Sequence, residues 1–274
     1  FPAEKITMRH LLAHASSLKD ASEVEVDSYP RPDPPQQLEK DVRTWLLPDS
    51  AEYADGAYWD ASRKPGTKYA YSNVGTTVAG LVIEKASGQS FNEFCNQHLF
   101  TPLGLASTRW FFRELPAPAQ VAIPYDENFG PYGHYGFAEY PSGQMRSSVT
   151  EFSKLMLMLM NQGEWGGQRI LSAGAVAEMQ RVQFPAQDPE GGLLLGVGEA
   201  ANGVRQFYHQ GAESGVGTYF LFQADKTGAL FLSNGSLKDS AYDSLMKRLL
   251  AEIPNLPAAN SETTLPKLST RTVA

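Results

Sequence analysis

Cysteine is nearly absent from this sequence, since Cys95 is the one cysteine among 274 residues. A single cysteine excludes an internal disulfide framework and any metal site built from several cysteines. Long apolar runs are also missing: the longest, at 155–160, has six residues, whereas about 20 are needed to cross a bilayer. We therefore expect neither a disulfide-stabilised scaffold nor a membrane span.

Positive charge is scarce as well. Lys and Arg number 23 against 30 Asp and Glu, which leaves a net charge of −7. An acidic chain without a basic cluster repels phosphate, so we expect no nucleic-acid partner. The sequence contains no phosphate-cradling glycine loop and no nucleotide fingerprint, and we expect no cofactor.

Helical signals dominate the first two thirds of the chain. Ser90 and Ser148 are each followed three residues later by glutamate, a capping-box pattern that begins a helix. Pro102 and Gly163 should end these two helices. The proline-rich segment 20–65 is expected to wrap over the body as a long excursion. Further helical patterns occur at 6–14, 36–47, 74–86 and 172–181.

The last third changes to the alternating pattern of β-strands. Turn signals lie at 201–203 and 225–228, and a closing helix is predicted at 240–253. Prolines with polar spacers predict a disordered tail at 254–274. The predicted strands are 193–198, 204–209, 217–222 and 230–233.

Four motifs, taken in order, carry a family resemblance. They are ITMRHLLAH at 6–14, PGTKYAYSN at 65–73, TPLGL at 101–105, and HQG at 209–211 followed by GTYF at 217–220. They resemble the helix before the "HTSGL" turn, the "PG…YSN" segment, the "PLGM" turn and the His-x-Gly motif of the serine β-lactamase/DD-peptidase-fold family, which includes class C β-lactamase-related hydrolases and esterases. Each motif alone is weak, but their order and spacing together are specific.

The resemblance implies an α+β fold, with an antiparallel sheet flanked by helices and a mostly helical lobe. The domain would cover 1–253, with the lobe at about 74–181 and the sheet part at about 193–253. The family's Ser-x-x-Lys motif and the N-terminal strands before it have no credible match. Because the chain also starts at Phe1 without a leader-like segment, we expect it to be truncated before its nucleophile.

By resemblance, Tyr71 is the general base that shuttles a proton for the family's serine and lysine pair. A tyrosine has a reference pKa near 10, so neighbouring cations must favour its phenolate. Asn73 would hydrogen-bond the catalytic lysine and the substrate carbonyl. A structural reading makes Asn73 the N-cap of a helix that begins near Val74, and both roles can hold.

The His-x-Gly motif implies three further site residues. His209 is predicted to end a strand and to face one cleft with Tyr71. Histidine is mostly neutral at pH 7, which favours hydrogen bonding over pairing with a β-lactam carboxylate. Gly211 would let a ligand approach the strand closely. The N–H of Ala212 would be one oxyanion-hole donor, and the N–H of the missing serine would be the other.

Three other patterns suggest sites that we reject. Ser16 begins a Ser-x-x-Lys match ending at Lys19, but it overlies the "HTSGL" turn, so we expect a loop position. The 226–228 segment spells Lys-Thr-Gly within a hairpin turn, too late in the chain for the third motif. His10 and His14 lie one helical turn apart without a third ligand or a glutamate between them, so we predict no metal site.

The aromatic segment 125–140 has two open readings. Its aromatic residues alternate with glycines, which suits a substrate-contacting rim, but simple packing against the helical lobe fits equally well. The aromatic residues are Tyr125, Phe129, Tyr132, Tyr135, Phe137 and Tyr140.

The resemblance implies a serine hydrolase that transfers an acyl group from a small ester, amide, peptide or β-lactam substrate to water through an acyl-enzyme. The printed chain alone should be inactive, because losing the nucleophile costs on the order of 10⁶ in turnover. One alternative is a catalytically dead β-lactamase-like binding protein, and another is a hydrolase that uses Ser16. The compartment stays open, with a periplasmic or secreted location implied by resemblance. The oligomeric state is also open.

Overall fold

The computed structural model describes residues 4–21, 26–50, 53, 56–200, 203–235, 248, 249, 251 and 252. The predicted closing helix at 240–253 and turn at 201–203 lie partly outside these residues, and the tail at 254–274 lies wholly outside them. The helices are α1 (Met8–Leu12), α2 (Leu38–Leu46), α3 (Asn73–Ser87), α4 (Phe91–Cys95), α5 (Tyr140–Gly143), α6 (Val149–Met160) and α7 (Ala173–Met179). The strands are β1 (Glu164–Trp165), β2 (Gln168–Arg169), β3 (Gly196–Glu199), β4 (Arg205–Glu213), β5 (Val216–Gln223) and β6 (Gly228–Ser233).

Serine caps begin four of the helices. In each, the serine hydroxyl accepts the backbone N–H three residues later, which satisfies one of the donors that the first helical turn leaves without a partner. α3 ends at Ser87 and is capped by Gly88 in the left-handed conformation. α4 continues into a π-helical turn at Asn96–Phe100 and stops before Pro102. The caps of α3, α4, α6 and α7 are Ser72, Ser90, Ser148 and Ser172.

The predicted capping box at Ser148 is only half correct. Ser148 accepts the N–H of Glu151 at 3.2 Å. The Glu151 carboxylate instead accepts the Ser107 N–H at 2.9 Å and the Thr108 hydroxyl at 2.6 Å. The carboxylate therefore ties a distant loop to α6, because donors brought there by the tertiary fold replace the local one.

The main sheet is antiparallel, in the order β3-β4-β5-β6. The prediction that His209 ends a strand is wrong, since β4 continues to Glu213. The extension exists because Ser214 and Gly215 make a tight turn, so that the residues after His209 pair with the start of β5. His209 therefore lies opposite Phe220, in the interior of a hydrogen-bonded ladder.

The apolar core consists of two clusters. The larger joins the helical lobe to the sheet, with Met158 of α6, Phe207 of β4 and Phe222 of β5 buried in it. The smaller consists of buried residues from α1, the loop after it and α3, namely Leu11, Leu18, Val74 and Ala79. The smaller cluster fixes the end of α1 against the start of α3, and this junction supports the candidate site.

The α+β class is confirmed by these helices and antiparallel strands. In the part of the chain that the structure describes, none of the helices has both the length and the apolar character that crossing a bilayer requires.

Candidate active site at the start of helix α3

Tyr71 lies immediately before the N-terminus of α3, with 47% of its surface exposed. The residue after it, Ser72, is extended and caps the helix through its hydroxyl, 2.9 Å from the Gly75 nitrogen. Asn73 is the first residue of α3 and is half-buried. The reading of Asn73 as the N-cap is therefore wrong, because the serine before it has the extended backbone and the hydroxyl that a cap needs.

Asp20 holds this helix start from outside the helix. Its Oδ1 accepts the Ser72 hydroxyl at 3.1 Å and the Val74 N–H at 3.0 Å, and its Oδ2 accepts the Asn73 N–H at 3.0 Å. A carboxylate at a helix N-terminus is stabilised by the free N–H groups and by the positive end of the helix dipole. Asp20 thus fixes the backbone from which Tyr71 and Asn73 extend.

His14 joins the same group from the end of α1. It is 7% exposed, and its Nδ1 accepts the Ser72 N–H at 3.2 Å. Its ring lies against the Tyr71 ring, with centroids 4.3 Å apart and planes inclined by 32°. The Tyr69 ring lies edge-on to the His14 ring, with centroids 6.1 Å apart. Sequence reasoning missed His14 and Asp20 as parts of this site, because no local pattern links them to a helix that begins more than 50 residues later.

Electrostatics link His14 to strand β4. Burial, with a smaller contribution from the charge of protonated His209, lowers the pKa of His14 to about 4, while Asp20 opposes the shift. Burial also lowers the pKa of His209. Both imidazoles are therefore mostly neutral at pH 7. The effect of His209 on the pKa of His14 indicates that His209 lies near the His14–Tyr71 pair, although the predicted shared cleft of Tyr71 and His209 stays a prediction.

The surroundings of Tyr71 do not favour its phenolate. Burial raises the pKa of Tyr71, and the nearby Asp20 carboxylate and Tyr69 raise it further. The expectation that neighbouring cations favour the phenolate thus stays a prediction, and the described residues that act on Tyr71 disfavour it. The reason is that the charged group brought closest to the start of α3 is the carboxylate that caps the helix.

Gly211 and Ala212 lie near the end of β4, opposite Thr218 and Gly217 of β5. A Cβ added to Gly211 would lie 2.7 Å from the Thr218 Oγ1. Close packing between the strands therefore gives Gly211 a structural reason to be glycine, beside the predicted approach of a ligand. Ala212 is exposed. The ligand contacts of both residues stay predictions.

Ser16 lies in a loop, as predicted. It is 2% exposed, and its hydroxyl accepts the Leu18 N–H at 3.3 Å. Lys19 also lies outside any helix, and its backbone N–H donates to Tyr58. The one-turn spacing of a helical Ser-x-x-Lys motif is absent here, so Ser16 does not have the setting of the family's nucleophile.

Two other rejected patterns have structural partners of their own. Lys226 lies in the turn between β5 and β6 and donates to Asn161 at 3.1 Å. His10 completes a capping box with Thr7 and lies against Phe184, whereas His14 faces Tyr71. Among the described residues, no three histidine, cysteine, aspartate or glutamate side chains are grouped to hold a metal ion.

The aromatic segment 125–140 serves mainly as packing at its C-terminal end. Tyr135 is 6% exposed, stacks on Tyr29 and donates to the Ser214 carbonyl at 2.5 Å. Tyr140 is buried in the larger core cluster. Phe129 is 86% exposed. Packing is therefore the observed role of Tyr135 and Tyr140, and a substrate-contacting rim stays a prediction for the rest of the segment.

The fold and the helix start that carries Tyr71 define a protein of the β-lactamase and penicillin-binding-protein fold. The structure is similar to that of the D-amino acid amidase from Ochrobactrum anthropi SV3, with a TM-score of 0.70 and 19% identity, covering 90% of this chain and 71% of that one. The octameric penicillin-binding protein homologue from Pyrococcus abyssi matches with a TM-score of 0.68 and 23% identity, covering 89% of this chain and 56% of that one. At these identities the likeness shows the fold alone.

Sequence comparison assigns the family. The Beta-lactamase family model matches residues 1–252, so this chain belongs to the Beta-lactamase family. Penicillin-binding protein 4 from Amycolatopsis lactamdurans is 26% identical over 212 residues, covering 69% of this chain and 53% of that protein. Penicillin-binding protein 4* from Bacillus subtilis (strain 168) is 30% identical over 118 residues, covering 42% of this chain and 23% of that protein. The matches thus span about half or less of these relatives' lengths.

Proposed function

We propose that the full-length protein containing this chain is a serine hydrolase that transfers an acyl group to water through an acyl-enzyme. The observation that carries the proposal is the placement of Tyr71 at the rigidly capped start of α3, electrostatically linked through His14 to His209. Membership of the Beta-lactamase family supports it. The nucleophilic serine and its lysine would come from a segment outside the printed sequence.

The proposed reaction has two steps, formation of the acyl-enzyme and its hydrolysis. The serine oxygen attacks the substrate carbonyl carbon while Tyr71 takes the serine proton, and the tetrahedral intermediate then expels its leaving group, which receives that proton from Tyr71. In the second step water attacks the acyl-enzyme while Tyr71 takes a proton from the water, and Tyr71 then returns this proton to the serine oxygen as the acid product leaves. Asn73 and His209 would orient the substrate, and the Ala212 N–H would bind the oxyanion next to Gly211.

Tyr71 needs an added cation for this role. Burial and the Asp20 carboxylate raise its pKa, so the tyrosine holds its proton at neutral pH in these surroundings. A lysine ammonium within about 4 Å would favour the phenolate. The lysine of the proposed serine-bearing segment meets this need, which makes proton transfer depend on both parts of the protein.

The neutral state of His209 bears on the substrate class. Burial lowers the pKa of His209, so at pH 7 it offers a hydrogen bond rather than a positive charge. This favours esters, amides and peptides over β-lactams, whose carboxylate is best held by a permanent cation. The amidase among the structural neighbours agrees with an amide substrate. By analogy with the penicillin-binding proteins, we propose that the protein acts in the periplasm or outside the cell.

Covalent labelling tests this function. The full-length protein is incubated with a fluorophosphonate or a fluorescent penicillin, and the modified peptide is identified by mass spectrometry. We expect one labelled serine, outside the printed sequence, with a Ser16→Ala variant labelled as fast as the wild type. Labelling of Ser16 itself, or no labelling and no hydrolysis of a panel of activated esters and amides, would overturn the proposal.

A catalytically dead binding protein is the second candidate. The raised pKa of Tyr71 favours it, because a site without a cation beside the tyrosine lacks an effective base. In that case the full-length protein should bind an amide or peptide ligand in calorimetry without forming a covalent adduct. Acylation at a measurable rate excludes this candidate.

A further inference from the structure

His14 contacts the proposed base in two ways at once. Its ring lies against the Tyr71 ring with a centroid separation of 4.3 Å. Its Nδ1 accepts the N–H of Ser72, the residue that follows Tyr71. One contact holds the tyrosine side chain and the other holds the backbone next to it. A single imidazole therefore restricts both the position and the inclination of the phenol.

The geometry requires a neutral imidazole with its proton on Nε2. The Ser72 N–H occupies the Nδ1 lone pair, so Nδ1 cannot also carry a proton. His14 is buried, and its pKa of about 4 keeps the ring neutral throughout the physiological range. The ionisable groups acting on it are His209 and Asp20. The ring is thus a constant, uncharged surface for Tyr71.

The support extends to the helix behind the tyrosine. His14 has a left-handed backbone, with φ of +50°, and its carbonyl accepts the Ala70 N–H at 2.8 Å. Asp20 binds Ser72, Asn73 and Val74 from the same loop. Hydrogen bonds to the loop that runs from the end of α1 to Asp20 consequently hold the segment from Ala70 to Val74. Tyr71 lies within this segment.

We infer that His14 is a positioning residue for Tyr71. Because the His14 ring stacks against the Tyr71 ring, it keeps the phenol oxygen directed at the reacting serine and the leaving group. The inference rests on the proposed function for its catalytic consequence, but the stacking itself is independent of turnover. Misplacing a catalytic group by about 1 Å can cost on the order of 100-fold in rate, so the loss of the platform should be visible in kcat.

Two substitutions separate the ring from the hydrogen bond. His14→Asn keeps an acceptor for the Ser72 N–H and tolerates positive φ, but it removes the ring. His14→Phe keeps an aromatic ring and removes the acceptor. His10→Asn is the matched control, because His10 lies one helical turn earlier and packs on Phe184 away from Tyr71. All variants are made in the full-length protein, and their melting temperatures are measured.

The kinetic result expected for His14→Asn is a fall in kcat of about 10- to 100-fold with KM nearly unchanged. His14→Phe should retain more of kcat despite a lower melting temperature, and His10→Asn should match the wild type. If His14 served only to satisfy the Ser72 N–H, the order of the two His14 variants in kcat would be reversed. Wild-type kcat in a folded His14→Asn protein overturns the inference.

A spectroscopic readout keeps this test separate from the proposed function. The ring protons of Tyr71, assigned in the NMR spectrum with a Tyr71→Phe variant, should carry a ring-current shift from His14. The shift should vanish in His14→Asn and persist in His14→Phe. A wild-type protein that fails to acylate but shows this pattern would refute the hydrolase function and leave the contact established, whereas unchanged shifts in His14→Asn refute the positioning role even in an active enzyme.

Discussion

Neutral groups dominate the candidate site at the residue scale. His14, His209 and Tyr71 are all uncharged near pH 7, because burial is the largest influence on the pKa of each. The Asp20 carboxylate is the charged group closest to the helix start, and it is occupied by three hydrogen bonds. These groups supply no positive charge near pH 7, which agrees with the proposal that a lysine of the full-length protein provides it.

Removing the Tyr71 hydroxyl tests the base directly. Tyr71→Phe in the full-length protein should lower the acylation rate constant by about 10²- to 10⁴-fold, the usual contribution of positioned proton transfer. The melting temperature should change little, because the side chain is half-exposed. Stopped-flow acylation by an activated ester measures the rate. Tyr69→Phe is the matched control, and a larger loss there than at Tyr71 would reassign the base.

Acid titration of stability tests the buried imidazole. The pKa of His14 is about 4 in the folded protein, against 6.5 for the free side chain. As the pH falls from 6.5 to 4, His14 becomes protonated in the unfolded chain but stays neutral in the folded protein. The free energy of unfolding therefore decreases in this window, and His14 does not affect it at higher pH. The total loss is about 3 kcal/mol. Urea unfolding at several pH values measures it.

His14→Asn is the reference for this titration. The variant should show a weaker loss of stability between pH 6.5 and 4, because the remaining groups titrate as before. Equal pH dependence of the two proteins would mean that His14 is protonated in the folded state near its ordinary pKa.

The start of α3 is the best-supported feature at the element scale. Two side chains serve its first turn: Ser72, the local cap, and Asp20, which reaches it from the preceding loop. The double support places the reactive segment on a rigid element, and a rigid element holds a catalytic group more accurately than a loop does. By contrast, α6 and α7 are each capped by a single serine.

Asp20→Ala should reveal this added support. The variant loses three acceptor contacts at a helix N-terminus, and we expect destabilisation by about 2 kcal/mol. Ser172→Ala, which removes the single serine cap of α7, should cost about 1 kcal/mol. Chemical denaturation measures both. A smaller effect for Asp20→Ala than for Ser172→Ala would show that the contacts to Asp20 are replaced by water without loss.

Gly163, in the turn that follows α6, offers a second element-scale test. Its φ is +90°, and an added Cβ would lie 2.2 Å from the Leu171 carbonyl oxygen. Gly163→Ala should therefore cost more than the strain of a left-handed residue alone, which is about 1 kcal/mol. Gly166→Ala is the matched control, because Gly166 also has a positive φ but no atom within 4 Å of its Cβ. Equal decreases in melting temperature for the two variants would show that the loop at Leu171 shifts to make room for the added Cβ.

The sheet edge is the notable feature at the scale of the whole molecule. Within the described residues, β6 is the last strand of the main sheet and pairs with β5 on one side. Its apolar side chains, Leu230, Phe231 and Leu232, are half-buried. Apolar edge strands recruit other strands unless they are covered or charged. We propose that the serine-bearing segment of the full-length protein covers this edge.

Solution behaviour tests that arrangement. The 274-residue chain alone should bind a hydrophobic dye strongly and should be polydisperse in light scattering. Leu232→Lys, which puts a charge on the edge strand, should reduce both effects. Supplying the serine-bearing segment, in the same chain or as a peptide, should suppress them and restore acylation. A monodisperse chain that melts cooperatively without binding dye would contradict the proposal and favour the self-contained binding protein.

Local patterns in the sequence were sufficient for the element types and for the family. The serine caps at 90 and 148, the alternation of the strands and the order of the four motifs act over a few residues each, and the structure and the family match confirm them. Boundaries were less accurate: β4 runs on to Glu213 because its length depends on pairing with β5. No signal within 204–213 reports that pairing.

The sequence by itself determined the types of the elements and, through motifs that resemble those of the family, was sufficient to propose Tyr71, Asn73 and His209 as site residues. Only the tertiary structure decided what surrounds them. It moved the N-cap of α3 to Ser72, placed the His14 ring against Tyr71 and brought the Asp20 carboxylate to the helix start. The physical reason is range: caps and periodicity act within one or two turns, whereas stacking, burial and the resulting pKa shifts depend on segments that meet only when the core packs.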